Sequence, residues 1–214
     1  MKTRISILLA GSILFTAVSV LAQKIKSDNL GMLKGQGEIN IRYDYSGMAV
    51  GKFKTEAEYL QKSTEERNAK KPGSGDEWAS KWNSNKASRY QPAFEEKFND
   101  AAESCGLKVK PGAESAKYTL VVHTVFLEQG VETVVLGAAK SASTNLKIEV
   151  VETSAPDKVL ATIEASDNKP RSNARMTVGG VPVNKEVYDY GARIAECYES
   201  AGKALGKYIC KSLK

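Results

Sequence analysis

Tyr118-Thr-Leu-Val-Val-His-Thr-Val-Phe-Leu127, Thr144-Asn-Leu-Lys-Ile-Glu-Val-Val151 and Lys158-Val-Leu-Ala-Thr-Ile-Glu164 read as three strands of one sheet. Side chains along a strand alternate between its two faces. In the second segment Thr144, Leu146, Ile148 and Val150 share one face, and Asn145, Lys147 and Glu149 share the other. That strand has one buried face and one wet face. In the first segment Tyr118, Leu120, Val122 and Phe126 fall on one face and Val121, Val125 and Leu127 on the other, so this strand is more central or covered twice. Ser154-Ala-Pro-Asp157 joins the second and third segments, and its Pro and Asp suit a turn. The pair is predicted to be an antiparallel hairpin.

Outward from this block, Glu38 to Tyr45 alternates cleanly, with Ile39, Ile41, Tyr43 and Tyr45 opposite Glu38, Asn40, Arg42 and Asp44. This predicts a half-buried strand. The polar stretch from Gln23 to Gly37 carries no such pattern and reads as a loosely held arm. Thr55 to Lys70 is composed of helix formers, with Thr55 and Glu58 spaced as a capping box. Lys71-Pro-Gly-Ser-Gly75 breaks it, and Asp76 to Trp82 opens a second helical piece. Tyr90, Phe94, Phe98, Ala101 and Cys105 form a helical stripe that starts at Pro92 and stops at Gly106. Leu107 to Lys110 is a short strand. Gln129 to Ser143 reads as an edge strand and a small-residue loop, and Asp167 to Asn184 as a long irregular segment. Apolar residues at threes and fours from Lys185 to Leu213, with acidic residues early and lysines late, predict the longest helix. The expected architecture is α+β: a mostly antiparallel sheet of about five strands, with the Pro92–Cys105 and Lys185–Leu213 helices on one face.

Met1-Lys-Thr-Arg4, the apolar Ile5–Val20 and the small-x-small Val20-Leu-Ala22 have the form of a signal peptide cleaved after Ala22. The mature chain would then begin at Gln23 and hold 192 of the 214 residues, the length of one domain running from Glu38 to the end behind its arm. Losing Lys2 and Arg4 takes the formal net charge from +6 to +4. Lysines and glutamates are interspersed, so no nucleic-acid or anionic-membrane partner is expected, and no later apolar run is long enough to span a bilayer. Localisation is expected to be periplasmic or secreted, where disulfides are permitted. Cys197 and Cys210 lie about 20 Å apart along one helix at 1.5 Å per residue, so a bridge would join Cys105 to Cys197 or to Cys210. Three buried free thiols are the other possibility.

Little chemistry is written in the residues. His123 is the only histidine and shares a strand face with Val121 and Val125, which suits a packed, hydrogen-bonded residue more than a ligand or a base. One His and dispersed Cys write no zinc ligand set, and no G-x-S-x-G elbow stands beside them. Gly35-Gln-Gly37 precedes its strand, so it is no dinucleotide fingerprint, and Val135 to Ser141 lacks the second glycine of a P-loop. No metal or cofactor is expected. Trp78, Trp82 and Tyr90 could stack on a sugar ring if exposed, and Arg171 and Arg175 could take a carboxylate or phosphate. A hydrolase would need two of Asp76, Glu77, Glu128 and Glu132 to converge.

The order of a signal peptide, a strand, a helical insertion, several antiparallel strands and a terminal helix resembles uncharacterised secreted or lipoprotein families of Gram-negative bacteria. It is similar to the amino-terminal domain of the Tol-Pal periplasmic protein and to the periplasmic domain of the curli secretion lipoprotein. Tyr118–Leu127 followed by Asn145–Ile163, with the Ser-Ala-Pro-Asp turn, carries the likeness, which extends over Glu38–Leu213 as element order. The lipid-attachment Cys of the lipoproteins is absent, and no functional residue carries over. The expectation is an exported, non-enzymatic module that binds an envelope protein or a ligand. The alternative is a glycan-binding or glycan-processing accessory built on Trp78, Trp82 and Tyr90.

Overall fold

Three strands precede three α-helices, six further strands and a last α-helix in the computed structural model, which describes residues 24–130, 141–170, 177–178, 181–182 and 189–214. The strands are β1 (Lys24–Ser27), β2 (Glu38–Asp44), β3 (Ala49–Val50), β4 (Lys108–Pro111), β5 (Tyr118–Glu128), β6 (Ser143–Glu152) and β7 (Ala155–Asn168). A separate two-stranded pair joins β8 (Thr177–Val178) to β9 (Val181–Pro182). The helices are α1 (Glu56–Lys70), α2 (Ser74–Asn85), α3 (Gln91–Ala102) and α4 (Tyr190–Ser212). None of these helices is long and apolar enough to cross a membrane. The predicted signal peptide lies outside the described residues.

The main sheet runs β1-β7-β6-β5-β2-β4, with β3 beside β5, and has seven strands. β1, β7, β6 and β5 pair antiparallel, including the expected β6–β7 hairpin, whereas β2 pairs parallel with both β5 and β4 and β3 pairs parallel with β5. The expectation of about five mostly antiparallel strands is thus only roughly met, since half the sheet is parallel. The reason is the helical insertion. After β2 the chain passes through α1, α2 and α3 before returning to β4, and a crossover through helices brings the next strand back parallel.

The alternation assigns faces correctly up to residue 124. Ile39, Ile41, Leu120, Val122, Ile148, Val150 and Ile163 all enter the core. The β5–β6 register then slips at a bulge between Thr124 and Phe126. One extra residue reverses the phase of the strand beyond it. Leu127, not Phe126, therefore joins the core, and Val125 is left 48% exposed.

α3 and α4 cover one face of the sheet. Phe94 and Phe98 of α3 meet Tyr198, Ala201, Leu205 and Ile209 of α4 in the same core. Gly202 and Gly206 let the two backbones approach closely: a Cβ at Gly202 would overlap the carbonyl oxygen of Phe94, and one at Gly206 would lie 2.7 Å from that of Phe98. α2 and α3 are joined by a π-helical turn, Lys86–Tyr90, where a break was expected ahead of Pro92. Asp189 caps α4 through Gly191 and Ala192, and Arg89 from the π-turn holds it at 2.7 Å. Thr55 caps α1 as predicted, accepting from the Glu58 N–H at 3.2 Å. Asn99 of α3 donates to the Val109 carbonyl and accepts its N–H, which closes the outer edge of β4 to further strands.

The Gln23–Gly37 segment is not loose where it is described. β1 pairs with β7, and Leu30 and Leu33 are 2% and 0% exposed. Two isolated apolar residues carry no periodic signal, yet they dock the segment on the core. Cys105, just beyond α3, is bonded to Cys210 near the end of α4, and Cys197 is a buried free thiol. Of the open alternatives, the structure thus takes the Cys105–Cys210 bridge.

Candidate functional site

The face of the sheet away from α3 and α4 carries the polar residues of the alternation. Strand registers align them in rows: Asp44, His123, Lys147 and Glu164; then Arg42, Val121, Glu149 and Thr162; then Asn40, Thr119 and Val151. Each row crosses the boundary between the parallel and antiparallel halves.

His123 is the centre of the first row. Its Nδ1 lies 2.8 Å from Asp44 Oδ2 and its Nε2 lies 3.1 Å from Glu149 Oε2. Lys147 meets the other oxygen of Glu149 at 2.7 Å. Asp44 also accepts from the backbone N–H and the hydroxyl of Ser46. Partial burial pushes the Asp44 carboxyl upward, but the Ser46 and His123 hydrogen bonds outweigh it and leave its pKa below the ordinary value. The Lys147 hydrogen bond holds Glu149 below its ordinary value; partial burial opposes it, and His123 adds to the lowering. Two carboxylates thus flank one imidazole ring and link β2, β5 and β6 across the polar face. Among the described residues no Ser, Thr or Cys side chain hydrogen-bonds to His123. The histidine expected to be packed is hydrogen-bonded, but on the polar face, outside the core.

At the end of the sheet where β5 begins, a groove of about 510 Å³ opens between β2, the β4–β5 loop and the β6–β7 turn. Its floor includes Val151 and Pro156. A hydroxyl–amide chain crosses it, with Asn40 Nδ2 donating to Thr119 Oγ1 at 3.1 Å and Thr119 Oγ1 lying 2.9 Å from Thr153 Oγ1. Arg42 and Glu114 also line it. Both are exposed, and neither side chain makes a hydrogen bond or ion pair among the described residues. Glu114 and Thr153 continue into a neighbouring depression of about 350 Å³ that also includes Lys117 and Glu152.

The sequence-predicted aromatics are elsewhere, and they do not form an exposed platform. Trp78, Trp82 and Tyr90 are 9%, 1% and 1% exposed. Trp78 and Trp82 pack with Tyr59 and Tyr190, Arg67 covers the Trp78 ring, and Trp82 Nε1 donates to Glu56. Tyr90 stacks on Tyr198, with centroids 5.3 Å apart. Their apolar area drives them inward, and the faces that a sugar would need are occupied by neighbours. Arg171, Arg175 and Glu132 lie outside the described residues. Asp76 and Glu77 sit in the first turn of α2, whereas the buried Glu128 ends β5. Among the described residues no cluster of three or more His, Cys, Asp or Glu could hold a metal ion. The residues that do come together, Asn40, Arg42, Asp44 and Glu149, appear in the sequence only as the wet side of alternating strands. Their alternation was the available signal; their convergence needed the strand order.

No family model matches the chain, and no curated protein matches it. Two solved structures of PelC dodecamers from Paraburkholderia phytofirmans are similar to it. One, a single-substitution variant, is 12% identical with a TM-score of 0.35, and the match covers 89% of this chain and 98% of that one. The other is 12% identical with a TM-score of 0.32, covering 84% and 96%. Likenesses at this level assign neither a site nor an assembly.

Proposed function

We propose that the protein is an exported, non-enzymatic binding module of the envelope or its surroundings, and that the sheet face away from α3 and α4 is its binding surface. The observation that carries this reading is the groove with its two unpaired charges, set on a face that none of the described helices α1–α4 covers. The Cys105–Cys210 bond supports the exported half, since such bonds persist in oxidising compartments. So does the element order that resembles secreted and periplasmic families. The buried Trp78 and Trp82 leave the aromatic glycan platform without support.

The test is site-specific photo-crosslinking in the producing cells. A photoreactive residue replaces Lys147 or Glu164 on the open face, or Lys207 on the exposed side of α4. Adducts are expected from the first two positions only, on a chain that starts at Gln23. Adducts from Lys207 alone, or a chain retained in the cytoplasm, would sink the reading.

A further inference from the structure

We infer that the groove where β5 begins binds a small zwitterion of the short-peptide class, with Arg42 taking its carboxylate and Glu114 its ammonium. This deepens the proposed function and rests on the open face being the binding surface.

The inference follows from charges left without partners inside one cavity. The groove, about 510 Å³, falls within the ordinary size of small-ligand sites. Arg42 and Glu114 both line it, yet they do not pair with each other or with any other described residue. A ligand carrying one charge would satisfy one of them and be repelled by the other. A ligand carrying both, held apart, satisfies each.

The strand register sets their order. Asn40 pairs with Thr119, and Arg42 with Val121 one row further into the sheet. Glu114 belongs to the loop that enters β5, on the other side of the Asn40–Thr119 row. Same-face residues two apart on a strand are separated by about 6.6 Å. The backbones that carry the opposed charges are therefore at least one such step apart along the strand direction. The two charges of a free α-amino acid are closer together than that, whereas a dipeptide extends about 7 Å. Between them lie Asn40 Nδ2 and the Thr153 hydroxyl, which can meet a peptide carbonyl. Val151 and Pro156 offer an apolar floor to small side chains. An arginine fork grips a carboxylate through two parallel hydrogen bonds, which fixes the direction of the bound peptide.

The experiment is a chemical-shift titration of the ¹⁵N-labelled, oxidised chain from Gln23 with dialanine, N-acetyl-dialanine and dialanine amide. Dialanine is expected to shift the amides of Arg42, Thr119 and Thr153. Blocking either terminus should weaken binding at least tenfold. Arg42→Gln and Glu114→Gln should each weaken dialanine about tenfold; both positions are exposed, and far-UV circular dichroism verifies that the fold is kept. Equal affinity for the free and blocked peptides would overturn the inference. So would unmoved groove amides at millimolar dialanine, or movement with a neutral disaccharide instead. Crosslinks from Lys147 and Glu164 with a silent groove would leave the surface reading standing and remove the zwitterion. Crosslinks from the helical side alone would remove both.

Discussion

Replacing Gly202 by Ala is the sharpest test of the helix pair. A Cβ at this position would overlap the carbonyl oxygen of Phe94 and come within 3.0 and 3.1 Å of its carbonyl carbon and Cα. All three atoms are backbone of α3, so no side-chain rotation relieves the overlap. Restoring an ordinary contact of about 3.5–4.0 Å moves α4 off α3 by roughly 1–2 Å. Overpacking of this kind costs about 1–3 kcal/mol, and the rigid obstacle places it near the upper end. Alanine returns about 1 kcal/mol in helix propensity. The net loss is about 2 kcal/mol, or roughly 4–8 °C in Tm for a chain of this length. Gly206→Ala meets the Phe98 oxygen at 2.7 Å and the Ala101 Cβ at 3.0 Å, a milder encounter, so its loss should be smaller. Thermal melts and urea midpoints followed at 222 nm read both. A Gly202→Ala protein as stable as the parent, or a larger loss at Gly206, would refute the close approach.

Two further outcomes are expected. Asp44, Glu149 and Asp189 all have folded pKa values below their ordinary ones. Their contribution to stability is therefore complete above the unfolded carboxylate range of about 4 and is lost as pH falls through the lower folded values. The urea midpoint should hold between pH 7 and pH 5 and fall below about pH 4; a midpoint that rises on acidification below pH 4 contradicts these pairings. Tyr198 is fully buried with its hydroxyl 2.6 Å from Thr124 Oγ1, whereas the Tyr190 hydroxyl is buried without a partner among the described residues. Tyr198→Phe should cost about 1–3 kcal/mol by stranding the threonine, and Tyr190→Phe should be neutral or stabilising; equal effects would argue against this difference in pairing.

The local elements were legible because their signals are local. Ile39 and Ile41, Leu146 to Val150 and the apolar ladder of α4 place their own faces, and Thr55 marks its own helix start. Pairing direction is not local: nothing in Glu38–Asp44 says whether its neighbour runs with it or against it. The bulge after Thr124 was equally silent, because one extra residue leaves composition unchanged while reversing every face beyond it. Gly202 and Gly206 read as poor helix formers until Phe94 and Phe98 stand opposite them. The polar groove was hidden for the same reason. Asn40, Thr119 and Thr153 are far apart in sequence, and only the β2–β5–β6 order makes them neighbours. Trp78 and Trp82 misled in the other direction, because the residues that suit a sugar platform also suit a core.

The Cys105–Cys210 bond closes a span of 105 residues and ties the segment just beyond α3 to the last turns of α4. Strands β4 to β9 all lie within that span. Closing a loop of that length removes about 4.7 kcal/mol of conformational entropy from the unfolded chain. Reduction restores that freedom and leaves the folded contacts of the sheet in place. Oxidation thus acts on the sheet without touching it, by narrowing the ensemble from which β4 to β9 are assembled.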